Sequence, residues 1–160
     1  MQKYENEMKR TVLIMLLVAG VFIQEAMAQK TTVEKLIERY SEVKGARDFI
    51  ASGGKMVIAR SLIKKTELAS IAPDVDVLEV LKMQNASSSD IVRFEKDLKS
   101  ALAGYEFYGT EESPNGTVDV YIMKGDGGMV NELVIYNPRT HSLNSLKGSF
   151  TAQELLDIRK

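Results

Sequence analysis

Cysteine is absent from the chain, which excludes thiol catalysis, thiolate zinc sites and a cysteine for lipid attachment at an export cleavage site. Export itself stays open, because exported proteins use disulfides without requiring them. Histidine is nearly as scarce, with His141 the single one. A multi-histidine zinc site cannot be built from it, and a Ser-His-Asp triad would depend on it entirely. A surplus of one charge is missing too. Lys and Arg number 21 against 22 Asp and Glu, for a net charge of −1. No basic excess exists to neutralise phosphates, so nucleic acid is not an expected partner. Opposite charges are interleaved, which argues against a polybasic membrane-surface patch.

What is present begins with a leader. Lys9 and Arg10 precede an apolar run from Thr11 to Ile23, and Ala26-Met27-Ala28 supplies a small-x-small cleavage pattern. The run rises roughly 20 Å as a helix, short of the ~30 Å hydrocarbon core, so a permanent anchor is not expected. The reading is residues 1–28 as an N-terminal extension and signal peptide cleaved after Ala28, with Met8 as the natural start. Residues 29–160 then form one domain in the periplasm or outside the cell. Removing Lys3, Lys9 and Arg10 together with Glu5, Glu7 and Glu25 leaves the balance at −1.

Three helix starts place a hydroxyl three residues before a carboxylate: Thr31/Glu34, Ser87/Asp90 and Thr151/Glu154. Each hydroxyl can accept from a free backbone N–H while the carboxylate reaches back to the cap, Asp90 least well because it is short. Val33, Leu36, Ile37 and Tyr40 recur on one helical face, as do Ile91, Phe94, Leu98, Ala101 and Leu102 before Gly104. A further helix is predicted from about Met56 to Lys65, and a last one through Leu155, Leu156 and Ile158.

Strand signals fill the rest. Tyr105 to Glu111 is aromatic-rich, and Ser113-Pro114-Asn115-Gly116 is a turn. Val118, Val120 and Ile122 alternate with Asp119, Tyr121 and Met123, the period of two of a strand. Gly125 to Gly128 turns the chain into Met129–Tyr136, and Asn137 to Thr140 into Ser142–Ser149. Ala46–Ala51 and Val75–Met83 are earlier strand candidates, the second also compatible with helix through Leu78 and Leu81. The expected fold class is α+β: a largely antiparallel sheet, a C-terminal four-strand meander plus one or two N-terminal strands, with helices packed mainly on one face in two layers.

The stretches Asp48-Phe49-Ile50-Ala51, Thr117 to Lys124 with its glycine turn, Met129 to Tyr136 and Ser145-Leu146-Lys147-Gly148 resemble the domain-of-unknown-function family numbered 4252, small exported bacterial proteins. The resemblance covers the leader and nearly all of the remaining chain. It implies an α+β fold and an envelope or secreted location. The family has no established activity, so it implies no site residues. Some members lie near envelope sigma-factor regulatory genes, which implies an accessory signalling role.

Each candidate chemical site has a plainer explanation. His141 follows Asn137-Pro138-Arg139-Thr140 and reads as an exposed turn histidine. Ser52-Gly53-Gly54-Lys55 lacks the upstream glycine and the following hydroxyl of a phosphate loop, Met56 standing there instead. Asp74 and Asp76, and Asp126, lack the further oxygens of a calcium loop. Glu111 and Glu112 are adjacent strand residues that point to opposite faces at a hairpin tip. Tyr105, Phe107, Tyr108, Tyr121 and Tyr136 read as core packing, with Tyr108 and Tyr121 the candidates for a water-facing recognition surface. No catalytic, cofactor-binding or metal-binding residue is assigned, and no cofactor is expected.

The functional expectation is an exported, non-enzymatic module that binds an envelope protein or ligand through its sheet face or an exposed edge strand. The alternatives are an accessory regulator of sigma/anti-sigma type envelope signalling, and a small hydrolase or isomerase using carboxylates and tyrosines in a cleft. Ligand, oligomeric state and the choice between periplasm and full secretion stay open at this level.

Overall fold

A computed structural model describes residues 29–158. The proposed leader, its cleavage after Ala28 and the Met8 start fall outside the described residues. The chain divides into two units, residues 1–31 and 32–160, and every element below belongs to the second.

The elements run α1 (Thr32–Ser41), β1 (Arg47–Ser52), α2 (Met56–Ile63), β2 (Val75–Lys82), α3 (Ser88–Ala101), β3 (Glu106–Ser113), β4 (Gly116–Lys124), β5 (Val130–Asn137), β6 (Ser142–Phe150) and α4 (Ala152–Asp157). The helix-or-strand ambiguity at 75–83 resolves as strand: Val77, Glu79 and Leu81 share one face of β2, opposite Lys147, Ser145 and Leu143. The sheet is six-stranded and antiparallel in the order β1-β2-β6-β5-β4-β3. The expected meander β3–β6 is its larger part, and both early strands extend it beyond β6.

Two of the three predicted helix starts show their cap. At α4 the box closes, with Glu154 N–H donating to Thr151 Oγ1 at 3.3 Å and Thr151 N–H to Glu154 Oε2 at 2.6 Å. At α3, Asp90 N–H donates to Ser87 Oγ at 3.2 Å, and the short Asp90 carboxylate takes the Ser87 hydroxyl at 2.6 Å. Glu34 of α1 reaches Lys147 of β6 at 2.5 Å.

Two apolar clusters lie on opposite faces of the sheet. Val33, Leu36, Ile37 and Tyr40 of α1 and Phe94 and Leu98 of α3 pack on Leu81, Val134, Tyr136 and Leu143. Met56, Ala59 and Ile63 of α2 and Leu155 of α4 pack on Ala51, Val120, Ile122, Leu133 and Leu146. The long helices share one face, which is where helices are mainly expected. The two-layer reading is corrected: the short helices form a third layer. The cause is visible in β5, where Leu133, Val134 and Ile135 are consecutive and point to alternate faces, so both need covering. Aromatic edges lock the long-helix layer, with Tyr40 and Phe94 ring centres 5.2 Å apart in a T-shaped pair and Phe94 and Tyr136 at 6.1 Å. Among the described residues no helix is long and apolar enough to cross a membrane.

Candidate functional site

Three places combine exposure, polarity or space. The first lies between α3 and strands β4 and β5. Register sets Asp119 opposite Tyr136 and Tyr121 opposite Val134, which puts both tyrosines and Asp119 on the α3 face. Glu95, Leu98, Lys99 and Leu102 close a pocket of about 350 Å³ over them. The Tyr136 hydroxyl donates to Glu95 Oε1 at 3.0 Å, and His141 Nδ1 lies 3.1 Å from the same oxygen. His141 is in the turn, as read from the sequence, at φ 50°. Its side chain is only 27% exposed because α3 brings Glu95 over it.

The electrostatics of this pocket are set by burial and by its carboxylates. Burial, then the hydrogen bond to Glu95, pushes the Tyr136 phenol far above its ordinary value of 10.0. Burial and neighbouring Asp119 push Tyr121 up as well. Both phenols are protonated at neutral pH, as an unshifted phenol also is, and present O–H donors to this space. Tyr121 is half-buried: it lines the pocket and packs edge-on at 5.3 Å against Phe107, which the sequence reads as core and the structure leaves 56% exposed. Tyr108 packs on the opposite face, against the short-helix cluster.

The second place is a buried polar row beneath α1. Glu132 is 1% exposed and accepts from the hydroxyls of Tyr105 and Ser145, both at 2.6 Å. Glu79 is also buried, and its Oε2 has no hydrogen bond, meeting Lys147 Nζ only as an ion pair at 3.5 Å. Desolvation raises the Glu79 carboxyl above its ordinary value, with Lys147 pulling it part of the way back. Sequence reasoning did not single out Glu79, Glu132 or Lys147. The signal was available: Glu79 and Glu132 occupy the inward parity of otherwise apolar strands, alongside Leu81 and Val134.

The third place is a contrast between the two sheet edges. Strand β3 is blunted by Glu106, Glu111 and Glu112 and by a bulge between Phe107 and Gly109. Strand β1 carries charge only at its start, Arg47 and Asp48, pairs with β2 in unbroken register from Arg47 to Ser52 and exposes Phe49 and Ile50 on its two faces. Beside it, α2 buries Met56, Ala59 and Ile63 and turns Val57, Ile58 and Leu62 to solvent, the first two at 70% exposure each. An apolar outer face on a helix that already has a buried face is surplus to packing in this unit.

The remaining sequence candidates have local explanations. Gly53–Lys55 is a single 3₁₀ turn leading from β1 directly into α2. Asp76 meets Arg60 at 3.6 Å. Asp74 faces Glu154, which raises its carboxyl while the Thr151 backbone lowers that of Glu154. Asp126 sits in the turn between β4 and β5. Glu111 and Glu112 lie opposite Val118 and Thr117 with alternate strand parity, yet at the hairpin end both border one concavity. Among the described residues no group of three or more His, Asp or Glu side chains is placed to hold a metal ion.

No curated protein and no solved structure matches the chain. A family model, "Domain of unknown function (DUF4252)", matches residues 40–158, from the end of α1 through α4. That span is most of the sequence and includes all six strands, so the chain belongs to the DUF4252 family.

Proposed function

We propose that this protein is a non-enzymatic binding module of the bacterial cell envelope, exported by a leader cleaved after Ala28. Its partner is an envelope protein that adds an extended, alternately apolar segment along β1 and covers α2. The observation that carries the reading is the β1 edge, outermost among the described residues and uncharged from Phe49 to Ser52, beside the exposed Val57, Ile58 and Leu62. Free backbone groups on an edge give affinity, and pockets or patches for alternate side chains give selectivity. Sheet edges left flat and apolar invite pairing, so natural proteins blunt them, as this chain does at β3. An accessory role in sigma/anti-sigma type signalling is the form of this reading in which the partner is a membrane signalling protein.

The test is a photo-crosslinking residue placed at Ile50, at Ile58 and, as a control, at Thr110 on the β3 edge, in the producing cell. The expected result is one shared adduct at Ile50 and Ile58, lost in Val57→Asp, and none at Thr110. Equal adducts at all three positions, or none, overturn the reading. Mass spectrometry of the same protein reads the address, with Gln29 expected as the first residue.

The hydrolase or isomerase reading has one observation in its favour: Glu95 and Tyr136 meet in a pocket, and His141 touches the same Glu95 oxygen from outside the lining. Turnover of an ester or amide substrate abolished by Glu95→Gln in a folded protein would put it first.

A further inference from the structure

The short helices leave part of their sheet face bare. Between the β3–β4 hairpin, the 66–68 segment and the end of α4 lies a concavity of about 390 Å³, within the usual size range of small-molecule sites. Its floor is Val118, Val120 and Ile135, neighbours across β4 and β5 with Val120 directly opposite Ile135. Asn144 stands beside Ile135 on β6, half-buried, and brings an amide to the apolar floor. The rim carries three carboxylates, Glu67, Glu111 and Glu112, and among the described residues no lysine, arginine or histidine lines the space. Arg139 stays outside the lining, its stem against the Gly116 turn.

We propose that this concavity binds a small amphipathic cation, with a short apolar body on the valine–isoleucine floor and one ammonium or guanidinium group at the Glu67/Glu112 rim. An apolar body gains by leaving water against the floor. The sign of the rim then decides which head group follows it, because a cation meets carboxylates there, while an anion is repelled by the same carboxylates and finds only neutral amides and hydroxyls. The site is separate from the β1/α2 surface, and the two readings stand or fall independently.

The probe is hexylammonium, with hexanol and hexanoate as controls of the same body, titrated by NMR into the protein purified from its producing cell. Hexylammonium is expected to bind with a Kd of about 1 mM, the affinity reasonable for so few atoms. Hexanol binds several-fold more weakly and hexanoate more weakly still. Shifted amides map to β4, β5 and residues 66–68. Raising salt to about 0.5 M narrows the gap between hexylammonium and hexanol, because exposed carboxylates are screened. Glu67→Gln and Glu112→Gln each lower hexylammonium affinity about threefold and leave hexanol unchanged. Both positions are exposed, so the variants fold and can be read. Equal affinity for all three probes, shifts mapping elsewhere, or glutamine variants that bind hexylammonium like the unmodified protein would overturn the proposal.

Discussion

The Nζ of Lys147 on β6 sits 2.5 Å from Oε2 of Glu34 on α1, tying the first helix to the middle of the sheet. Both side chains are mostly buried, at 19% and 24% exposure, and the same Nζ faces Glu79 at 3.5 Å. Lys147→Met removes a cation shared by two carboxylates. Breaking a buried pair from one side costs about 3–5 kcal/mol, and partial exposure here reduces the expected loss to about 2–4 kcal/mol. Urea denaturation at neutral pH checks it. An unchanged midpoint would show that α1 is held by its apolar face alone.

Glu79 gives the unit a predictable pH response. Its carboxyl is raised above the ordinary 4.5 in the folded protein, chiefly by burial. A raised folded value means the contribution to stability is complete below the unfolded value and is lost as pH rises through the folded one. Glu79→Gln lacks that loss. The stability of the variant relative to the natural protein should therefore increase as pH climbs from about 4 toward 7, a window that opens at the ordinary carboxyl range. Urea midpoints of the two proteins across that window measure it, and parallel curves would remove Glu79 from the account.

Two hydroxyls hold the buried Glu132 carboxyl, one from Tyr105 and one from Ser145. Tyr105→Phe or Ser145→Ala strips one donor without opening a large cavity. Each should cost about 1.5–3 kcal/mol, the range for a hydrogen bond to a charged or buried carboxyl group. The double variant should cost other than the sum, because both donors serve one acceptor group. Chemical denaturation of the four proteins of this cycle measures the coupling.

Gly45 stands at φ +88°, and a Cβ added there would lie 2.1 Å from the Asn85 carbonyl oxygen. Backbone cannot retreat as a flexible side chain does, so Gly45→Ala should destabilise by about 2 kcal/mol or more through strain and displacement together. Gly54, with nothing within 4 Å of a Cβ and no positive φ, is the control. Gly54→Ala should shift stability by no more than about 1 kcal/mol, toward greater stability. Thermal unfolding separates the two outcomes.

Ile58 is 70% exposed on α2. Ile58→Asp should leave folding stability within about 0.5 kcal/mol, as surface changes usually do. The same variant should lose the proposed partner. Circular dichroism and the crosslinking assay, run on one preparation, distinguish a binding defect from a folding defect.

Much of the architecture is legible from local pattern. Val33, Leu36, Ile37 and Tyr40 mark the buried face of α1, and Thr151 with Glu154 marks the start of α4, because both depend on residues within two turns of each other. The turns at Pro114-Asn115 and Gly125–Gly128 separate β3, β4 and β5 for the same reason. The third layer is less visible. Leu133-Val134-Ile135 reads as a strand either way, and only the sheet order shows that both of its faces need a cover.

The candidate sites depend on contacts between distant segments. His141 reads as a turn residue because its backbone is one; its ring meets Glu95, 46 positions away, only when α3 lies across β5 and β6. The β1 edge is open because β2 pairs with β6 and leaves β1 outermost, which no run of six residues records. Residue spacing by itself determined helix faces, caps, turns and strand parity, since each arises from backbone geometry over a few residues. Tertiary structure alone decided which carboxylates were buried, which tyrosines met acids, and which edge and face were left uncovered, because burial and pairing are set by whatever element is packed against a residue.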